Sequence, residues 1–147
     1  MDKRNPNEWL CLKRTVRFGE TDAAGVVHFL QLLRWCHEAW EESIEKYGIS
    51  LQEIFPTAKV NIRQPDAALP VVHSEANYSE PLYVGDLIDI RIFPEKLNES
   101  SFLIRCIFKK NGHQIGVASI KHVCINAITR EKCQLSDLIN FWIEESS

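Results

Sequence analysis

A chain of 147 residues, 45% hydrophobic and 25% charged, has the length and apolar content to bury one core, and it reads as a single domain over 1–147. A net charge of −3 argues against a general nucleic-acid binder. No apolar run approaches the length of a membrane span and Met1–Glu8 has no apolar signal region, so a cytoplasmic protein without a membrane partner is expected.

Trp9 to Phe18 reads as a first strand, with Leu10, Leu12, Val16 and Phe18 on one parity, and a loop over 19–27 follows. From His28 to Tyr47 the positions Phe29, Leu32, Leu33, Cys36, Trp40, Ile44 and Tyr47 fall at helical spacing. Gln31, Arg34, Glu38, Glu41, Glu42 and Glu45 take the opposite side, and Gly48 is a natural stop. Such a helix is roughly 30 Å long, enough to cross a small sheet. Residues 51–68, broken by Pro56 and Pro65, read as irregular.

Four strand patterns follow, over 69–78, 86–94, 101–110 and 114–125; the second alternates through Ile88, Ile90 and Ile92, and the third through Phe102, Ile104, Cys106 and Phe108. Asn111-Gly112 is a hairpin signal and Leu97–Ser100 a second polar turn, which together predict an antiparallel meander. A short helix over 136–144, capped at Ser136 or Asp137, closes the chain. One long helix against one antiparallel sheet is an α+β layer architecture.

The cysteines Cys11, Cys36, Cys106, Cys124 and Cys133 form no C-x-x-C pair and read as reduced and partly buried. The histidines lack metal-ligand spacing, so no metal is expected.

The stretch Phe18-Gly19-Glu20-Thr21-Asp22-Ala23-Ala24-Gly25-Val26-Val27-His28-Phe29 places one acid, Asp22, in a small-residue loop just before the long helix. Gly25, Val26 and Val27 cannot cap that helix with a side chain, so N–H donors are left free at its positive end. A carboxylate beside free donors is what acyl transfer needs, a group to attack or to activate water and a cradle for the oxyanion. The same D-x-x-G spacing also fits a plain turn, with the Asp bonding its own backbone and the Gly at positive φ.

The run Phe18–Val27 resembles the F-G-[DE]-x-D-x-A-G-[IV]-V signature of the 4-hydroxybenzoyl-CoA thioesterase type of hotdog acyl-CoA thioesterases. Leu69-Pro70-Val71-Val72-His73 and Pro81-Leu82-Tyr83-Val84-Gly85-Asp86 extend the resemblance over about residues 9–127. Thr21–Phe29 and Cys36-His37-Glu38-Ala39-Trp40-Glu41-Glu42-Ser43 are most similar to the cyanobacterial 1,4-dihydroxy-2-naphthoyl-CoA hydrolases of phylloquinone synthesis. In related short-chain thioesterases with D-x-G-G-V-V-Y-H, a His falls seven residues after the acid, where this chain has Phe29.

The resemblance implies a hotdog fold, a five-stranded antiparallel sheet wrapped around one central helix, and hydrolysis of an aromatic acyl-CoA. No metal or redox cofactor is implied, since CoA belongs to the substrate. It also implies a homodimer with sites at the subunit interface, paired into a homotetramer. Asp22 is then the catalytic carboxylate, as nucleophile or general base, and the Phe29 backbone N–H the oxyanion donor. Gly25 allows close approach of the acyl group, and His28 lines the pocket, bonds a substrate hydroxyl or serves the helix start. Arg105, Lys109, Lys110 and Lys121 are candidates for the CoA phosphates, or simply a charged strand edge.

Glu38 reads as a solvated helix face more readily than as a second acid. Trp35, Trp40, Tyr47 and Phe55 read as core or as a flat aromatic pocket. A broad or short-chain thioesterase, a hotdog hydratase or dehydratase, and a non-catalytic acyl-CoA-binding domain are the competing readings.

Overall fold

The computed structural model describes residues 3–147. Pro6, at φ −57°, leads into a one-turn helix α1 (Asn7–Leu10), and strand β1 covers Cys11–Thr15. The strand read over 9–18 is therefore shorter at both ends. Trp9 and Leu10 are buried from the helical turn, while the chain leaves the sheet after Val16 and bends through a 3₁₀ turn, Phe18–Glu20, that exposes Phe18.

Helix α2 (Leu30–Tyr47) buries Leu32, Trp35, Cys36, Ala39, Trp40, Ser43 and Ile44 along one stripe and ends at Gly48. A further turn, α3 (Leu51–Ile54), forms in the segment read as irregular, where the Glu53 carboxylate reaches back to accept the Ser50 N–H at 3.3 Å, one half of a capping box. Two short strands, β2 (Ala67–Ala68) and β7 (Ile125–Asn126), pair with each other. Helix α4 (Asp137–Glu145) starts from Ser136, whose hydroxyl accepts the Ile139 N–H at 3.3 Å.

The main sheet has the order β1-β4-β5-β6-β3, with β3 at Val71–Tyr78, β4 at Leu87–Asn98, β5 at Ser101–Lys110 and β6 at His113–Val123; every pairing is antiparallel. Strand β4 passes through Pro94, which pairs with Ile104 of β5. The missing N–H is tolerated because β1 reaches only to Arg91, so the other side of β4 is already open there. Phe102, Ile104, Cys106 and Phe108 of β5 are buried, and Cys36 of α2 lies against the Ile104 and Ala118 carbonyls. The core thus lies between α2 and this face. No helix among the described residues is long and apolar enough to cross a membrane.

Candidate active site

The loop before α2 is a small hairpin. Thr21 and Val27 form an isolated bridge, and inside it the Asp22 N–H donates to the Val26 carbonyl at 2.8 Å. The Gly25 N–H donates to the Asp22 carbonyl at 3.0 Å, with Gly25 at φ +79°, a conformation that glycine reaches without Cβ strain. One Asp22 carboxylate oxygen, Oδ1, accepts the Ala24 N–H at 2.8 Å. The other takes no hydrogen bond among the described residues, and the side chain is exposed. The turn geometry and the open carboxylate are thus the same feature.

Past the hairpin the backbone donors are satisfied one by one. Val27 N–H reaches the Leu82 carbonyl at 2.8 Å and His28 N–H the Glu20 carbonyl at 3.0 Å. Leu30 N–H donates to His28 Nδ1 at 3.1 Å, and Gln31 N–H to the His28 carbonyl at 2.9 Å. His28 therefore caps the helix with its ring, and an accepting Nδ1 leaves the proton of the neutral imidazole on Nε2. Between these, the Phe29 N–H meets no acceptor among the described residues. It stands at the positive end of an 18-residue helix.

Behind the loop lies a polar frame centred on Glu20 and Arg14, to neither of which the sequence reading gave a role. Glu20 Oε2 accepts from Arg14 Nη2 and from Trp35 Nε1, both at 2.6 Å, while Oε1 accepts the Arg17 N–H at 2.8 Å. Arg14 Nη1 also bonds Glu38 Oε2 at 2.8 Å, and Arg34 Nε bonds Glu38 Oε1 at 2.9 Å. Burial pushes the Glu38 carboxyl up, but hydrogen bonds and charge from Arg34 and Arg14 outweigh it and hold it below the usual value. Glu38 is a half-buried partner of two arginines rather than a solvated residue. Arg34, four residues earlier on the helix, is a partner the spacing allows, whereas Arg14 comes from another element and gave no sequence signal.

Lys110 pairs with Asp86 at 2.9 Å, beside the Tyr83 ring. Burial pushes Asp86 up, yet Lys110 and the Tyr83 N–H together hold it below its ordinary value. This corner joins the loop through Leu82, whose N–H donates to the Tyr78 hydroxyl at 2.6 Å. Burial raises the Tyr78 phenol above its ordinary value; the Leu82 N–H opposes the rise and the Asp22 charge adds to it. Arg105 and Lys109 lie on the opposite side of β5 from its buried residues: Arg105 sits over the Phe93 ring at 5.3 Å and Lys109 stands opposite Asp89 in the β4–β5 register. Within one chain no hydrogen bond or ion pair among the described residues links Arg105 or Lys109 to the Asp22 loop. Lys121 is half-buried on β6.

Trp35 and Trp40 are fully buried and belong to the core, while Tyr47 and Phe55 are half-buried against it.

The thioesterase-like superfamily pattern matches residues 16–143. A Prochlorococcus marinus (strain NATL2A) protein named 1,4-dihydroxy-2-naphthoyl-CoA hydrolase is 71% identical over 147 residues, covering 100% of this chain and 95% of its own. A crystal structure from Prochlorococcus marinus strain MIT 9313 superposes with a TM-score of 0.95 at 45% identity, covering 98% of this chain and 100% of that one. That of the 1,4-dihydroxy-2-naphthoyl-CoA thioesterase of Synechocystis gives 0.80 at 29% identity, covering 91% and 94%. With the long helix seated on the five-stranded sheet, in the hotdog arrangement, this chain belongs to the thioesterase-like superfamily.

Proposed function

We propose that this protein hydrolyses an aromatic acyl-CoA thioester, 1,4-dihydroxy-2-naphthoyl-CoA, to 1,4-dihydroxy-2-naphthoate and CoA in phylloquinone synthesis. The observation that carries the chemistry is the pairing, on one short segment, of an open Asp22 carboxylate oxygen with a Phe29 N–H that has no acceptor among the described residues. The acyl group is assigned from the name of the 71%-identical relative. With the thioester carbonyl oxygen on the Phe29 N–H, charge that develops there meets a donor already in place at a helix N-terminus. Asp22 then either attacks the carbonyl carbon, giving an anhydride that water opens, or takes a proton from the attacking water. On either route the tetrahedral intermediate expels CoA as a thiolate.

His28 Nε2 faces the reaction as a donor for a substrate hydroxyl, and Gly25 gives the acyl ring room. Lys110 serves the CoA phosphates from the same corner; Arg105 and Lys109, on the outer face, serve them across a subunit interface. That interface is a homodimer in which a second copy pairs along β3, an eight-residue edge strand with one backbone side open, and two dimers make a homotetramer.

The test is free-thiol release from naphthoyl, hydroxybenzoyl, short-chain and long-chain CoA thioesters, with wild type and Asp22→Asn side by side. Fast release from the dihydroxynaphthoyl ester, falling at least about 10²-fold in the variant, is the expected result. Equal rates for wild type and Asp22→Asn sink the mechanism and favour a binding domain, while a flat profile across the panel sinks the substrate assignment.

A further inference from the structure

The direction of the Phe29 N–H is not set by Phe29. A trans peptide is planar, so this N–H points opposite to the His28 carbonyl. The His28 carbonyl is held down the helix by the Gln31 N–H at 2.9 Å, and the His28 N–H is held by the Glu20 carbonyl at 3.0 Å. The Glu20 carbonyl thus anchors the Val27–His28 peptide, and the Gln31 N–H anchors the adjoining His28–Phe29 peptide that presents the donor, so Glu20 acts on that donor across the His28 Cα.

Three bonds converge on the Glu20 side chain, which is only 15% exposed. Arg14 reaches it from β1, Trp35 from α2, and the Arg17 N–H from the same 3₁₀ turn. Arg14 is itself pinned, lying over the Trp35 ring at 4.9 Å with its other terminal nitrogen, Nη1, on Glu38. Side chain and carbonyl of one residue thus tie the sheet, the helix and the two ends of the Asp22 hairpin to each other.

We propose that Glu20 is a positioning residue for the hydrolysis, aiming the Phe29 N–H and holding the base of the Asp22 hairpin without touching substrate. The proposal rests on the catalytic reading of Asp22 and Phe29. A donor used for the oxyanion acts in the transition state, so losing its aim lowers kcat rather than substrate affinity. Misplacement of about 1 Å by a residue remote from the chemistry is worth on the order of 10²-fold in rate.

The experiment compares wild type, Glu20→Ala and Glu20→Gln in steady-state kinetics across pH, with backbone amide exchange by NMR on the same proteins. Glu20→Ala is expected to lose about 10²-fold in kcat with KM changed less than about threefold. Glu20→Gln keeps the shape and an acceptor for Trp35 but loses the charge facing Arg14, so it is expected to retain the fold and lose about tenfold in kcat. In both, the pH profile keeps its wild-type limbs and the His28 amide exchanges faster than in wild type.

Wild-type kcat in a folded variant overturns the proposal, as does a raised KM at unchanged kcat, which makes Glu20 a substrate contact. Disappearance of a pH limb in Glu20→Gln also overturns it, by making Glu20 a proton-transfer group. Should wild type hydrolyse none of the thioesters, the catalytic reading fails and takes the assigned role with it. His28 exchange then still reports on the clamp: unchanged exchange in a folded Glu20→Gln shows that no clamp exists.

Discussion

The two halves of α2 are held by opposite kinds of chemistry. Around its N-terminal half, Arg14 bridges two carboxylates, Glu20 takes three hydrogen bonds, and the hairpin tip beyond stays open. Around its C-terminal half the Trp40 ring lies 5.0 to 6.3 Å from the rings of His122, Phe55, His37, Phe102 and Trp142. There the polar atoms are the exceptions: Trp40 Nε1 and His122 Nε2 are buried without partners among the described residues. A polar frame fixes direction, which a site needs, whereas an aromatic cluster excludes water and supplies stability. The two halves are therefore expected to respond separately, one in rate and the other in unfolding free energy.

The hardest break of that contrast is Trp40→Ala. Trp40 is fully buried, and removing a buried tryptophan leaves a cavity worth about 3–5 kcal/mol. Urea unfolding is expected to show that loss, while kcat per folded molecule stays within about twofold of wild type. Asp22→Asn is the mirror case, because its carboxylate is exposed. Its unfolding free energy is expected within about 0.5 kcal/mol of wild type. A large stability change in Asp22→Asn, or a collapse of kcat in folded Trp40→Ala, removes the division.

His122 sharpens the contrast through pH. Its Nδ1–H donates to the Leu69 carbonyl at 2.8 Å, and the ring stacks on Phe102 at 5.1 Å. Burial pushes the imidazole down to about 4 from 6.5, with the Leu69 carbonyl opposing and the nearby His37, itself paired with Glu41, adding to the shift. The folded chain therefore holds His122 neutral at pH values where the unfolded chain has protonated it. The associated stability is complete above about pH 6.5 and drains away as pH falls toward 4, about 3 kcal/mol in all. Denaturant unfolding at pH 8, 6, 5 and 4 is expected to follow that slope, and His122→Phe to flatten it. An equal slope in both proteins assigns the acid sensitivity elsewhere.

Much of the frame was legible along the chain, and the reasons are local. The stripe of α2 shows in its spacing, and the β5–β6 hairpin shows in Asn111-Gly112, which adopt the positive φ values of 52° and 74° that such a turn requires. Helix α1 was hidden because Leu10, Leu12 and Val16 alternate as a strand does, and the one signal against it was Pro6. The far half of β4 was hidden by Pro94, since only the sheet order shows that β1 stops before it. At the site, Asp22 stood out as a lone acid in a small-residue loop. Glu20 did not, although it lies two residues away, because Arg14 and Trp35 are brought to it from β1 and α2. Which face of β5 carries Arg105 and Lys109 followed from the strand's alternation, but what lies opposite that face belongs to tertiary structure.

The smallest effect expected is at Gly25, and it separates conformation from contact within the hairpin. A Cβ added there meets nothing within 4 Å among the described residues, so no clash with them opposes Gly25→Ala in the free protein. What remains is backbone strain, since φ is +79° and an alanine side chain disfavours that region by about 1 kcal/mol. Unfolding free energy is expected to fall by that amount and no more. If the acyl ring packs on Gly25, the added methyl stands in its path, and KM for the naphthoyl ester rises while KM for a short-chain ester stays put. A change common to both esters would mean instead that the strain has moved the hairpin itself, and that Gly25 acts through the turn alone.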